Sequence, residues 1–168
     1  PWNLYDMLAE FFEIHGIPDG PILLRDIGVS KTSLYAEGHE GHKLAKIAPI
    51  LERYPHLPFI LVGDTSQKDP EIYREVVRTY PERILAVYIR NVTPDPVRQE
   101  AVGLLIDEVK EAGSQLVLAH DSVFAATHAA EQGWIPAAAV ADVRSEKKRD
   151  DRAPDPQEGT GDPKDQPQ

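Results

Sequence analysis

Short apolar runs alternate along the chain with longer stretches in which apolar residues recur every three or four positions. The runs indicate buried strands, and the recurrences indicate amphipathic helices. Strands are predicted at 22–24, 59–62, 84–89 and 116–119, and helices at about 4–15, 44–51, 70–80, 96–112 and 121–132. Alternating helices and strands with short connectors predict an α/β fold, in which a parallel sheet carries helices on both faces.

Capping and breaking residues set the predicted helix ends. Asp69 and Asp95 each precede a proline, the order typical of an N-cap followed by the first helical position. Pro49 lies inside a predicted helix, where it removes a hydrogen bond, so a kink or two shorter helices are expected there. The polar, glycine-containing stretch 25–40 is predicted to be a loop.

The composition is that of one intracellular domain. A chain of 168 residues with 41% hydrophobic side chains can build one core. It has no cysteine for a disulfide or a zinc–thiolate site, and no apolar run near the roughly 20 residues that cross a bilayer. The net charge of -10 disfavours nonspecific binding to nucleic acid or anionic membranes. We therefore expect a cytoplasmic protein with at most local, transient contact with a membrane and no nucleic-acid partner.

Both ends of the chain differ from the rest. From Ser145 onward the only apolar side chain is Ala153, so residues 145–168 are expected to form a disordered tail after a domain of residues 1–144. The chain starts at Pro1, without a methionine, and enters a helical pattern almost at once. We expect the domain to be incomplete at its N-terminus.

Polar residues follow each predicted strand, and ligands gather at the carboxyl ends of parallel strands. Asp64 and Asp69 flank the loop after the most apolar strand, and an oxygen-rich pocket with two carboxylates suits Mg²⁺. Lys43 follows a glycine-containing loop and could place its charge over a phosphate, and Arg25, at the end of the first strand, is a second candidate for binding it. The other polar strand ends are Asp26, Arg90-Asn91 and His120-Asp121.

Each candidate has a simpler interpretation. Asp64 could merely open the loop, Asp69 could cap the helix that follows it, and Lys43 could be a solvated surface lysine. His39 and His42 are three residues apart, but a zinc site would need further ligands nearby. No P-loop, Gly-x-Gly-x-x-Gly or Gly-x-Ser-x-Gly motif occurs, which removes the main support for a nucleotide-binding or serine-hydrolase fold.

Five segments, in this order, resemble one family: PWNLY at 1–5, LLRD at 23–26, GHKL at 41–44, GDTSQKDPEIY at 63–73 and the strand at 84–90. Together they resemble the phosphatidate phosphatases of the actin-patch type, relatives of the lipins within the haloacid-dehalogenase-like superfamily. The resemblance spans residues 1 to about 135. It implies a Rossmann-like, haloacid-dehalogenase-like fold and a magnesium-dependent phosphatase acting on phosphatidate or another phosphomonoester.

The resemblance also implies roles for single residues. Lys43 matches a lysine that neutralises the attacking aspartate and the phosphoryl group, Asp64 matches an acid that holds Mg²⁺, and Asp69 matches a supporting acid. The reaction implied is the formation and hydrolysis of an aspartyl-phosphate. No Asp-x-Asp, the pattern that carries the family's nucleophile, occurs in this chain, and the Ser/Thr motif expected just before Pro1 is missing as well. The chain by itself is therefore expected to be inactive.

Two further functions compete with catalysis. Lipin-like domains of phosphatidylinositol-transfer proteins resemble this fold and bind phosphatidate without hydrolysing it, so a lipid-sensing module is the alternative. The presence of Lys43, Asp64 and Asp69 favours the enzyme. A non-enzymatic protein that binds partners through its proline-rich tail ranks last, because Pro154 and Pro156 are too close for a Pro-x-x-Pro ligand. The oligomeric state is left open.

Overall fold

The computed structural model of the chain describes residues 2–24, 39–92 and 95–152. Arg25, Asp26 and residues 153–168 lie outside the described residues, and so do the side chains of Trp2 and of residues 39–42. The chain divides into two compact units, Pro1–Leu57 and Pro58–Gln168, each of which is described by itself.

The described part of the first unit is helical. A 3-10 turn, Trp2–Leu4, leads into α1, Tyr5–Ile14, which confirms the first predicted helix. The end of α1 is set by Gly16, whose φ of 62° lies in the left-handed region and lets the amide of Ile17 donate to the carbonyl of Phe12 over 2.8 Å. No side chain of α1 is buried.

Two sequence predictions for this unit are wrong. Residues 22–24 are not in a strand, and the amide of Leu24 donates a local hydrogen bond to the carbonyl of Ile22 over 3.3 Å. A run of three apolar residues offers too few ladder bonds to hold a strand by itself. The second helix, α2, is His39–Arg53, so it starts inside the stretch predicted as a loop. It continues through Pro49 as one helix, which excludes two shorter helices, and the kink at Pro49 stays a prediction.

The second unit contains a three-stranded parallel sheet and four helices among its described residues. The elements are β1 (Phe59–Asp64), α3 (Asp69–Thr79), β2 (Ile84–Arg90), α4 (Pro96–Glu111), β3 (Leu116–Ala119), α5 (Ser122–Glu131) and α6 (Ala139–Asp150). The strand order is β1-β2-β3, with a helix between each pair of consecutive strands. This architecture confirms the predicted α/β fold with a Rossmann-like parallel sheet.

The register brings the carboxyl ends of the three strands to one edge of the sheet. Asp64 pairs with Arg90, and Arg90 pairs in turn with Ala119, so the last residues of all three strands lie side by side. The segments that follow these residues therefore start from the same edge. Any site built from them belongs to this edge.

Helices cover both faces of the sheet. On one face, α3 packs against β1 and β2, and α4 packs against α3 and β3. On the other face, Ala86 and Tyr88 of β2 pack with Ala129 of α5 and with Trp134 and Ile135. The fully buried core side chains between α3, α4 and the sheet are aliphatic: Val76, Val77, Val87, Ile89, Val102 and Val109.

Helix α6 is a finding that the sequence analysis missed. It runs from Ala139 to Asp150, where disorder was expected from Ser145 onward. Its second half is polar, but Lys147 forms an ion pair with Asp151 over 2.9 Å, one turn along the helix, and α6 packs on α5. Among the residues that the structure describes, no helix has the length and hydrophobicity needed to span a membrane.

Candidate functional site at the end of β1

Asp64 is the last residue of β1, and its side chain organises the loop that follows. Oδ1 of Asp64 accepts hydrogen bonds from the amide of Ser66 over 2.8 Å and from the hydroxyl of Ser66 over 2.5 Å. These two bonds fold the chain sharply after the strand, as in an Asx turn. Asp64 thus opens the loop and also presents a half-buried carboxylate at the edge of the sheet.

Asp69 lies next to Asp64 and is the first residue of α3. The N-cap position belongs to Lys68, whose carbonyl accepts from the amide of Ile72 over 3.0 Å. The carboxylate of Asp69 turns back toward the strand instead, where Oδ2 accepts from the amide of Asp64 over 3.3 Å. With only 4% of its surface exposed, Asp69 is a buried carboxylate held against the strand end. Asp69 therefore lies one residue past the N-cap position at which the sequence predicted it.

Gly63 makes the close approach of Asp69 possible. A Cβ atom added at Gly63 would lie 2.3 Å from Oδ2 and 2.6 Å from Cβ of Asp69. Real Cβ atoms do not come this close to other atoms. Only a residue without a side chain fits at the position before Asp64, which explains the Gly-Asp order at the end of this strand.

A buried threonine ties the loop to the end of β2. The amide of Thr65 donates to the carbonyl of Arg90 over 3.0 Å, which extends the ladder by one residue. The hydroxyl of Thr65 accepts from the amide of Val92 over 3.1 Å and donates to Oδ1 of Asn91 over 3.4 Å. Thr65 is 4% exposed. These bonds fix the first loop residue against the neighbouring strand end.

An arginine from α4 holds the rest of the loop. Nε of Arg98 donates to the carbonyl of Thr65 over 3.2 Å, and one terminal nitrogen donates to the carbonyl of Gln67 over 2.8 Å. The same guanidinium forms a bidentate ion pair with the carboxylate of Glu71, in the first turn of α3. The hydrogen bond from Arg98 keeps the pKa of Glu71 below its usual value. Three points between Thr65 and Glu71 are thus fixed by one side chain.

The sequence analysis placed Thr65 at the strand end but assigned no role to Glu71 or Arg98. Arg98 and Glu71 are 27 residues apart, and no periodicity in a sequence relates such positions. One signal was present: Arg98 lies in the first turn of α4, where a positive charge is disfavoured by the helix dipole and where no acidic residue occurs. A cation at such a position indicates an acidic partner from another element.

The chemistry of the site suits Mg²⁺. Asp64 ends the strand, and the carboxylate of Asp69 is held at the same strand end by the amide of Asp64 and by the close packing at Gly63. Magnesium binds through one or two carboxylates and completes its shell with water and substrate phosphate. No group of three or more His, Cys, Asp or Glu side chains that could hold a metal occurs in the part of the chain described. Two carboxylates therefore suit Mg²⁺ better than a metal ion that takes all its ligands from protein side chains.

The other predicted site residues are placed differently. Lys43 lies in α2 and so belongs to the first unit. Arg25 lies outside the described residues, as do the side chains of His39 and His42. Asp121, after β3, is the N-cap of α5: its Oδ1 accepts from the amide of Phe124 over 2.8 Å, a bond that lowers the pKa of Asp121.

Fold and site together define an α/β protein with a parallel sheet and two aspartates at the end of its first strand. The family described as "Phosphatidate phosphatase APP1, catalytic domain" has a model that matches residues 1–91, more than half of the chain, and the chain belongs to this family. The match includes Lys43, Asp64 and Asp69 and ends before α4 begins.

Two curated relatives support this membership. The chain is similar to the phosphatidate phosphatase APP1 of Saccharomyces cerevisiae, with 38% identity over 90 residues, which is 54% of this chain and 15% of the relative. It is also similar to an uncharacterized protein of Schizosaccharomyces pombe, C29B5.04c, with 31% identity over 97 residues, 56% of this chain and 16% of the relative. The matched region is thus a small part of each relative. No solved structure matches the chain significantly.

Proposed function

We propose that the protein carrying this chain is a Mg²⁺-dependent phosphatase of the haloacid-dehalogenase-like type, which hydrolyses phosphatidate to diacylglycerol and phosphate. The observation that carries this proposal is the contact of the buried Asp69 carboxylate with the amide of Asp64 at the end of β1. Family membership supports the choice of phosphatidate as substrate. Because the proposed substrate is a lipid, a transient contact of the protein with a membrane surface is part of the same proposal.

Asp64 and Asp69 would hold the ion, which when bound offsets negative charge on the phosphoryl group. Asp64 supplies the more accessible carboxylate, while Asp69 fixes the strand end through the amide of Asp64. Lys43 is proposed to add a fixed positive charge beside the phosphate, and Arg25 to assist in binding it.

The covalent step is assigned to residues outside this chain. No Asp-x-Asp pattern occurs in the 168 residues, so we infer that the nucleophilic carboxylate and the general acid lie elsewhere in the protein. That carboxylate would attack phosphorus while the bond to the glycerol oxygen breaks and the acid protonates the leaving alcohol. Water would then cleave the acyl-phosphate and release inorganic phosphate. The chain by itself is proposed to be inactive toward phosphatidate.

Phosphate release from phosphatidate in detergent micelles, measured with full-length protein over a series of Mg²⁺ concentrations, tests the proposal. Asp64→Asn should lower kcat by at least about a hundredfold without changing the thermal midpoint of unfolding. Asp95→Asn is the matched control, since Asp95 caps α4 by accepting from the amide of Val97 over 3.0 Å. It should retain activity.

Two results would overturn the assignment. Activity of Asp64→Asn at saturating Mg²⁺ would remove Asp64 from the metal site. Binding of wild-type protein to phosphatidate-containing vesicles without any release of phosphate would replace the enzyme by the lipid-sensing alternative.

A further inference from the structure

Arg98 holds the loop that carries the two acids. Its guanidinium contacts the loop at Thr65, directly after Asp64, and at Gln67, two residues before Asp69. It reaches these carbonyls from α4, beyond the region that the family model covers. The side chain is 21% exposed, so most of it lies within the protein.

We propose that Arg98 is a positioning residue that sets the distance and orientation of the Asp64 and Asp69 carboxylates for a divalent cation. This inference rests on the proposed function of the two acids. Arg98 acts through the loop backbone, and its own charge is satisfied by Glu71. It would therefore order the loop that carries the acids without competing with a cation bound to them.

The guanidinium is suited to this role by its shape. It is planar and carries five N–H donors in fixed directions, so it can bind two carbonyls and a carboxylate at once. A lysine at position 98 keeps the charge and much of the length, but its ammonium cannot reproduce this fork. Arg98→Lys should therefore loosen the loop while leaving the electrostatic balance with Glu71 nearly intact.

A second ion pair between the same two helices provides a matched control. Arg74 of α3 contacts Glu108 of α4 over 3.3 Å, and its side chain is 25% exposed, close to the value for Arg98. Among the described residues, the ion-pair partners of Arg74 are Glu75 and Glu108, and neither belongs to the loop from Asp64 to Asp69. Arg74→Lys therefore perturbs the packing of α3 against α4 to a similar extent without touching the candidate site.

The test uses full-length protein and two measurements that do not depend on turnover. Amide hydrogen exchange of the segment 64–69 in metal-free protein reports the order of the loop, and titration with Mn²⁺ as a paramagnetic probe reports cation affinity. Arg98→Lys should speed exchange in this segment by about tenfold and weaken Mn²⁺ binding by about 10- to 100-fold, the range for groups that support metal ligands. Arg74→Lys should change neither. Phosphatase turnover should differ between the two variants in the same way: only Arg98→Lys should need more Mg²⁺ for half-maximal activity.

Glu71→Gln gives a second route if Arg98→Lys proves unstable. It keeps the size of the side chain and the arginine, but removes the charge that orients the guanidinium, so exchange in 64–69 should again rise. Unchanged exchange and unchanged Mn²⁺ affinity in Arg98→Lys, or equal changes in Arg74→Lys, would overturn the positioning role while leaving the phosphatase proposal standing. A wild-type protein that neither binds Mn²⁺ nor releases phosphate would overturn the proposed function. The exchange comparison would then decide by itself whether Arg98 orders the loop.

Discussion

Gly63→Ala is the substitution whose effect the structure specifies most directly. The new methyl group would lie 2.3 Å, 2.6 Å and 2.7 Å from Oδ2, Cβ and Cγ of Asp69. Carbon atoms pack best at about 3.5–4.0 Å, so all three contacts are strongly repulsive. Two of the three atoms are close to the backbone of α3, and Asp69 is buried, so a simple rotation of a flexible side-chain tip cannot relieve them.

The protein must therefore shift the start of α3 or turn Asp69 out of its place. The first response is overpacking, which typically costs about 1–3 kcal/mol. The second breaks the hydrogen bond from the amide of Asp64 to a carboxylate, a class of bond that contributes about 1.5–3 kcal/mol. Either route predicts a loss of about 2 kcal/mol in the free energy of unfolding, which corresponds to roughly 4–8 °C in the midpoint.

Urea and thermal unfolding of full-length protein measure this loss, with Gly103→Ala as control. Gly103 lies inside α4, and a Cβ there would meet no atom within 4 Å. This control should gain about 0.5–1 kcal/mol, because alanine restricts the unfolded chain and favours the helix. We expect the free energy of unfolding to fall in Gly63→Ala and to rise in Gly103→Ala. A Gly63→Ala variant that is as stable as wild type and still binds Mn²⁺ would refute the close packing of Asp69 on the strand.

Three other substitutions test separate parts of the structure. Lys43→Ala should lower kcat by at least about a hundredfold if its charge acts on the transition state, and a rise in KM alone in steady-state assays would make it a binding residue only. The pKa of Glu71 is lowered from 4.5, mainly by its hydrogen bond to Arg98. The stabilisation of the folded protein by this carboxylate is therefore present above pH 4.5 and is lost as pH falls through the folded-state pKa. Glu71→Gln should reduce this loss when the free energy of unfolding is measured against pH. Burial disfavours the ionised phenol and so raises the pKa of Tyr88 above 10.0. The stability of the folded protein that depends on the neutral phenol is present below pH 10.0 and is lost as pH rises through the folded-state pKa. Tyr88→Phe should remove that alkaline loss in pH-dependent unfolding and cost about 1 kcal/mol at neutral pH, because the hydroxyl lies 2.8 Å from Nδ1 of His128.

The sequence predicted the sheet well because its strands are nearly continuous apolar runs bounded by clear stops. All three strands of the second unit were found, and the caps Asp95 and Asp121 were both confirmed. The failure at 22–24 has the same origin as these successes. An apolar run shows that a segment can be buried, but only a neighbouring strand makes it part of a sheet, and periodicity does not report neighbours.

The candidate site was predictable only in its residue types. The sequence placed Asp64 and Asp69 at a strand end and left two roles open for Asp69. The choice between them depended on where the Asp69 carboxylate points, which is set by the missing side chain at Gly63 and by the loop geometry. The contacts of Arg98 depend on the packing of α4 beside α3, a tertiary relation that no local pattern encodes.

The missed helix α6 shows a different limit. From Ser145 onward the absence of apolar residues argued against a core, and disorder was the inference. A polar segment can form a helix without a core of its own when α6 as a whole packs on α5 and oppositely charged side chains four residues apart form an ion pair. Composition predicts what a segment can bury, and it is a weaker guide to whether the segment continues a helix that is already anchored.

The packing of Trp134 on the α5 face gives this molecule an optical reporter. The indole lies edge-on to the imidazole of His128, with 5.9 Å between ring centroids, and that imidazole joins Tyr88 to Oε1 of Gln115, 3.2 Å from its Nε2. With Trp2 replaced by Phe, the emission of this chain would come from Trp134 alone, so its intensity and wavelength would report the packing of α5 and Trp134 on this face of the sheet.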